Sequence, residues 1–176
     1  MRPYKKIALS GAICTGKSSL ARDLAARLGW KHYSTGQLFR EYATSHNLSL
    51  EKGEEQNPIL TLKIDNDMID RVRRTDHIVV DGWLAGMLMR DASDVFRVLL
   101  TADIATRISR FANREQVSLV EAEKKIRQRE GSVTQKVKDI YHRTDFFDPS
   151  HFNLVIDTTN LSQERALELV CDTINK

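Results

Sequence analysis

Residues 11–18 read GAICTGKS, a glycine, four variable positions and then Gly-Lys-Ser. No other stretch of the chain limits its fold as tightly. The pattern G-x-x-x-x-G-K-[ST] holds phosphate only where a strand delivers it and a helix leaves it. Only then do backbone N–H groups and a helix N-terminus converge on one point. Both flanks are present. Ile7-Ala8-Leu9 is an apolar run before the loop, and Leu20, Leu24 and Leu28 recur at four-residue steps after it. Gly29 stands where such a helix should end. Gly11, Ala12, Ile13, Cys14, Thr15, Gly16, Lys17, Ser18 and Ser19 are therefore expected to surround a phosphate chain. Lys17 would meet the β- and γ-phosphates, and the Ser18 hydroxyl would ligate Mg²⁺. Cys14 reads as a spacer within the loop.

The remaining chain alternates strand and helix. Short apolar runs at His77–Gly82, Val95–Leu100 and Leu154–Asp157 have the character of buried parallel strands, and a shorter one is expected at His32–Ser34. Helices are expected from Thr35, over Ile59–Arg74, through Ile104, Ile108 and Phe111 with Thr101 as a possible N-cap, and from the capping box Ser118-Leu119-Val120-Glu121. A last helix carries Ala166, Leu169, Val170, Thr173 and Ile174 on one face. Residues 46–58, polar and containing Gly53, read as a loop or hinge. Such alternation implies an α/β fold with a central parallel sheet and right-handed crossovers. One domain is expected over 1–176.

Composition serves mainly to exclude. Two cysteines, Cys14 and Cys171, cannot build a disulfide framework, and no apolar run approaches the roughly 20 residues that cross a bilayer. A net charge of +3 argues for neither nucleic acid nor membrane as a partner. A cytoplasmic, monomeric protein is the expectation. The five histidines show no metal-ligand spacing and no His–Asp pairing, and read as structural or surface residues.

Three further features carry chemistry. Asp81 ends an apolar strand, where a carboxylate would orient Mg²⁺; alone, Asp81-Gly82 reads equally well as a turn. Between residues 107 and 143 stand ten basic and five acidic side chains, an excess of five. Arg110 and Arg114, one helical turn apart, would neutralise a transferring phosphoryl group or simply face solvent. Like charges in such a segment repel until an anion sits among them, which predicts a mobile lid. An RNA-binding patch is disfavoured, because Phe111 is the single aromatic among the charges before Tyr141. Finally, Asp65 and Asn66 interrupt the apolar stripe of the 59–74 helix, and there they must find partners or water.

The chain resembles the nucleoside monophosphate kinases, most closely the short cytidylate kinases of the archaeal type. GAICTGKS at 11–18, YSTGQLFREYA at 33–43, VVDGWLAG at 79–86, the arginine-rich segment 107–129 and NLVIDTT at 153–159 carry the likeness. It implies a three-layer P-loop sandwich, an acceptor-binding segment at about 35–74 and a basic helical lid at about 114–143. It implies ATP with Mg²⁺ as the donor, and a nucleoside monophosphate, CMP or dCMP, as the small-molecule acceptor. Thr35, Gly36, Phe39 and Arg40 then open the monophosphate pocket, with Arg40 gripping its phosphate. Asp65 would touch base or sugar. Arg110 and Arg114 would touch phosphates, and Arg127 or Arg129 would be the far lid arginine. Lys17, Asp81, Arg114 and Arg129 would act on the transferring group. One departure stands out. The family reads E-G-R-L-A-G where this chain has Asp81-Gly82-Trp83-Leu84-Ala85-Gly86, so Trp83 replaces a phosphate ligand. Trp83 would stack on a ring or fill the pocket wall, and Arg90 would compensate. That departure keeps a kinase for another small acceptor in view, and a nucleotide-binding regulatory protein without turnover is the other rival.

Overall fold

The structure, a computed structural model, describes residues 4–46 and 58–174. Five parallel strands form one sheet in the order β2-β3-β1-β4-β5, with β1 at Lys6–Gly11, β2 at Lys31–Ser34, β3 at Ile78–Asp81, β4 at Val95–Thr101 and β5 at Leu154–Asp157. Helices α1 (Lys17–Leu28) and α7 (Gln163–Ile174) cover one face; α3 (Pro58–Arg74) and the short α4 (Ala85–Leu88) cover the other. The period-2 alternation of a strand explains both layers. Along β1, Ile7 and Leu9 point into the core under α1 and α7, while Ala8 between them packs toward Met68 and Val72 of α3. A strand buried on both faces has no polar side to show, so its sequence is simply apolar. In α1, Leu20 and Leu24 are buried as the four-residue stripe requires, and Gly29 ends the helix at φ 67.

Helix α2 (Thr35–Ser45) starts on the Ser34 hydroxyl, which accepts the Gln37 N–H at 3.3 Å. Helices α5 (Ile104–Glu115) and α6 (Leu119–Tyr141) form an antiparallel hairpin beside the carboxyl end of the sheet. Ser118 caps α6, accepting the Glu121 N–H at 3.2 Å, while the Glu121 side chain pairs with Lys125. The α5 cap is Asp103, accepting from Thr106, and not Thr101, which stays in β4. The expected loop at 46–58 lies, apart from its end residues, outside the described residues. Every strand delivers its last residue to the same edge, the place where open α/β sheets bind ligands.

Candidate active site

Gly11 ends β1 at φ 150, and a Cβ there would lie 2.3 Å from the Leu100 carbonyl oxygen. The loop then turns through Cys14 at φ 60 and Gly16 at φ 94, and α1 begins at Lys17. Gly11→Ala is expected to cost about 1–3 kcal/mol in urea denaturation, because the clash is with backbone and cannot be relieved by a rotamer change.

What shapes the loop is a set of anchors on its outer side. Arg107 of α5 donates to the Ile13 carbonyl (3.4 Å), Arg110 to the Cys14 carbonyl (3.3 Å), and the Thr158 hydroxyl to the Thr15 carbonyl (2.9 Å). In a trans peptide the N–H points opposite to the C=O. Three carbonyls held outward therefore turn the N–H groups of Cys14, Thr15 and Gly16 inward, an anion-binding nest at the head of α1. Lys17 Nζ donates to the Ala12 carbonyl at 2.6 Å. Burial lowers its ammonium to about 8, against the pull of Asp81. Burial also pushes the Cys14 thiol up, which fits a spacer better than a reactive thiolate.

Asp81 is 1% exposed and fully engaged. Its Oδ2 accepts from Ser18 (2.8 Å) and Ser34 (3.2 Å), and His32 Nε2 lies 2.7 Å from its Oδ1. Burial alone would push this carboxyl up. The hydrogen bonds from His32 and Ser18 and the nearby Lys17 outweigh it, so Asp81 lies below the ordinary carboxylate value. The His32–Asp81 pairing contradicts the sequence reading, which expected no His–Asp pairing among the five histidines. It arises because β2 and β3 are register partners, which brings Ser34 opposite Asp81.

These groups open on one cavity of about 550 Å³. Ile13 to Ser19 line one end, Thr35, Gly36, Phe39 and Arg40 line another wall, and Asp65, Asp81, Trp83, Arg110, Arg114 and Arg129 complete it. Arg40 is exposed at the mouth; crowding by the cleft walls, then Arg129 and Arg114, lowers its guanidinium. Three guanidiniums so placed repel one another, and an anion among them relieves that repulsion. Asp65 is 5% exposed, and its Oδ2 accepts the Tyr141 hydroxyl at 2.7 Å. Burial raises it to about 6, with Tyr141 and Lys136 opposing. Lys136 Nζ also stands 5.1 Å over the Phe39 ring.

Several expectations need correction. Arg127 points away from the cavity and pairs with Glu123, because two residues along a helix turn a side chain through about 200°. Of the two, it is Arg129 that lines the cavity. Arg110 reaches the cavity wall, yet its guanidinium is spent on the Cys14 carbonyl and on Thr158. Gly11 and Ala12 stand behind the loop and do not line the cavity. Arg90 does not replace the missing arginine; it is exposed beside Asp91. Trp83 fills the wall, with Phe147 at 5.3 Å and Phe146 at 6.3 Å between ring centres. Sequence reasoning gave no role to His32, Ser34, Arg107, Glu130, Lys136, Tyr141 or Thr158, although Ser34, Arg107 and Thr158 lie inside the segments that carry the family likeness.

The donor set suits Mg²⁺. Ser18 and Asp81 offer two hard oxygens side by side, and among the described residues no cluster of three or more His, Cys, Asp or Glu could hold a metal without substrate. That is the pattern of a metal held largely by phosphates and water.

A model of the cytidylate kinase-like family matches residues 60–160. A cytidylate kinase of Desulfurococcus amylolyticus is 34% identical over 174 residues, covering 97% of this chain and 93% of that protein. A cytidylate kinase of Aeropyrum pernix is 35% identical over 167 residues, covering 93% and 95%. Among solved structures, a gluconokinase from Sinorhizobium meliloti aligns over 99% of this chain and 94% of its own, at TM-score 0.66 and 12% identity, a likeness of fold alone.

Proposed function

The chain belongs to the cytidylate kinase-like family, and on that premise we propose that it transfers the γ-phosphoryl group of ATP to CMP or dCMP, giving the diphosphate and ADP. One observation carries the reading: the phosphate loop, the arginines Arg40, Arg114 and Arg129 and the buried carboxylates Asp65 and Asp81 all line a single cleft. The loop amides and Lys17 bind the donor's phosphates. Arg40 holds the acceptor's phosphate, and helices α2 and α3 form the acceptor side. Arg114 and Arg129 approach from the lid, residues 114–143, and neutralise charge on the group in flight. Ser18 and, through water, Asp81 would hold Mg²⁺, which when bound offsets charge on the β- and γ-oxygens. His32 and Ser34 keep the Asp81 carboxylate turned toward Ser18. A monophosphate is already ionised at neutral pH, so no strong base is needed.

Asp65 supports the choice of base. At pH 7 it is an acceptor with one oxygen taken by Tyr141, so it favours a base edge that donates, as an exocyclic amine does. The reading is tested by following ADP release from ATP and Mg²⁺ with CMP, dCMP, UMP and AMP in turn. CMP or dCMP is expected to give the highest kcat/KM. Release with shikimate, gluconate or other non-nucleotide acceptors alone would overturn it, and ATP binding without turnover would select the regulatory alternative. Among the described residues no helix is long and apolar enough to cross a membrane.

A further inference from the structure

Glu130 of α6 lies against the phosphate loop, where the reaction gives it no part. Its Oε1 accepts the main-chain N–H of Ile13 at 3.3 Å and pairs with Arg107 of α5. The same guanidinium nitrogen reaches the Ile13 carbonyl at 3.4 Å. The two side chains are 12% and 23% exposed. Beneath them the Ile13 side chain is buried with Phe111, Ala122 and Ile126 of the hairpin.

A carboxylate beside a polyanion site opposes binding by its charge. Arg107 cancels much of that charge, and what remains is directional. The N–H and the C=O of one loop residue are fixed from two helices, immediately before the left-handed turn at Cys14. The Ile13 carbonyl, held outward, turns the Cys14 N–H toward the phosphates. Glu130 also follows Arg129, which lines the cavity, so any displacement of α6 carries both the lid arginine and the loop's anchor.

We propose that Arg107 and Glu130 are positioning residues that set the phosphate loop's amides from the α5–α6 hairpin. The inference rests on the proposed function for the identity of its ligands, but the measurement is binding rather than turnover. Calorimetry of Mg–ADP and of CMP is run on the wild type, Glu130→Ala and Glu130→Gln. Glu130→Ala is expected to weaken Mg–ADP about tenfold and leave CMP within about twofold, since one oriented hydrogen bond is lost on the donor side only. Glu130→Gln keeps an acceptor for the Ile13 N–H and is expected to recover most of the loss. Equal or tighter Mg–ADP binding by Glu130→Ala would mean that the side chain acts only as a nearby negative charge, and overturns the proposal. Parallel weakening of both ligands, in step with a fall in Tm, would mean a merely structural role and also overturns it. If Glu130→Ala does not fold, Arg107→Lys gives the same reading, because the lysine nitrogen ends one bond short of the place from which Arg107 Nη1 meets both Glu130 and the Ile13 carbonyl. A wild type that binds Mg–ADP yet phosphorylates no monophosphate defeats the proposed function and leaves this test intact.

Discussion

Lys17→Ala is expected to lower kcat for CMP phosphorylation by about 10²–10³-fold, with a smaller rise in the KM for ATP. Preorganised charge aimed at the transferring group is worth about that much, because it strengthens as charge develops. The structure adds a reason for the asymmetry. The ammonium is lowered to about 8 by burial, so it enters the reaction poorly solvated and ready to pair with an anion. In the free protein it rests on the Ala12 carbonyl, a neutral partner that a phosphate oxygen outcompetes. The sign of the pH effect follows. Below about 8 the lysine is charged and can bind; above it the free protein loses that charge, and nucleotide affinity should fall. A bound polyphosphate raises the lysine's pKa, so binding between pH 8 and 10 should take up a proton. Calorimetry in buffers of different ionisation enthalpy reads that uptake, and Lys17→Ala should abolish it. A variant that keeps wild-type kcat with normal thermal denaturation would remove the lysine from the mechanism.

The parts of this site that were legible in the sequence are those encoded locally. GAICTGKS with its flanks states a strand, a nest and a helix within about twenty residues, and Val79-Val80-Asp81 states a buried strand with an acid at its end. What was not legible is encoded across the fold. Arg107 and Arg110 lie 94 and 96 residues from the loop carbonyls they hold, and nothing in their own helix marks them off from Arg127. His32 meets Asp81 only through β-sheet register, at a separation of 49 residues. Arginine-rich sequence reads as phosphate binding in general. Here Arg114 and Arg129 face the cleft, Arg107 and Arg110 build the loop and Arg127 pairs on the outer surface, and only helix phase decides among them. The short α4 has too few residues to show a period, so Trp83 could be placed on a wall or a ring but not in its aromatic trio with Phe146 and Phe147.

Asp65→Asn is the second large effect, and it separates base selection from stability. With the carboxylate in place, the cleft floor offers an acceptor to a donor-bearing base. Uracil, which carries a carbonyl where cytosine carries its exocyclic amine, meets repulsion there. Asparagine can present either its oxygen or its NH₂, so the penalty against UMP disappears while the reward for CMP shrinks. The CMP/UMP ratio of kcat/KM is expected to fall about 100-fold, the scale of one charged hydrogen bond gained and one mismatch relieved. The stability effect has the opposite sign. The folded-state value of about 6 lies above the ordinary 3.8, so the native protein binds the extra proton between those values. Stability therefore falls as pH rises from about 4 to 6, and above 6 the native fold carries a charged, buried carboxylate at a cost of about 3 kcal/mol. Asparagine can still accept the Tyr141 hydroxyl and carries no charge. Asp65→Asn should therefore match or exceed the wild type in Tm at pH 8 and lose that advantage at pH 4.5. A variant less stable at pH 8 with its CMP/UMP ratio intact would assign Asp65 to packing. The expected pair, a stabler protein that no longer tells its bases apart, would show that this chain holds its buried charge for recognition rather than for stability.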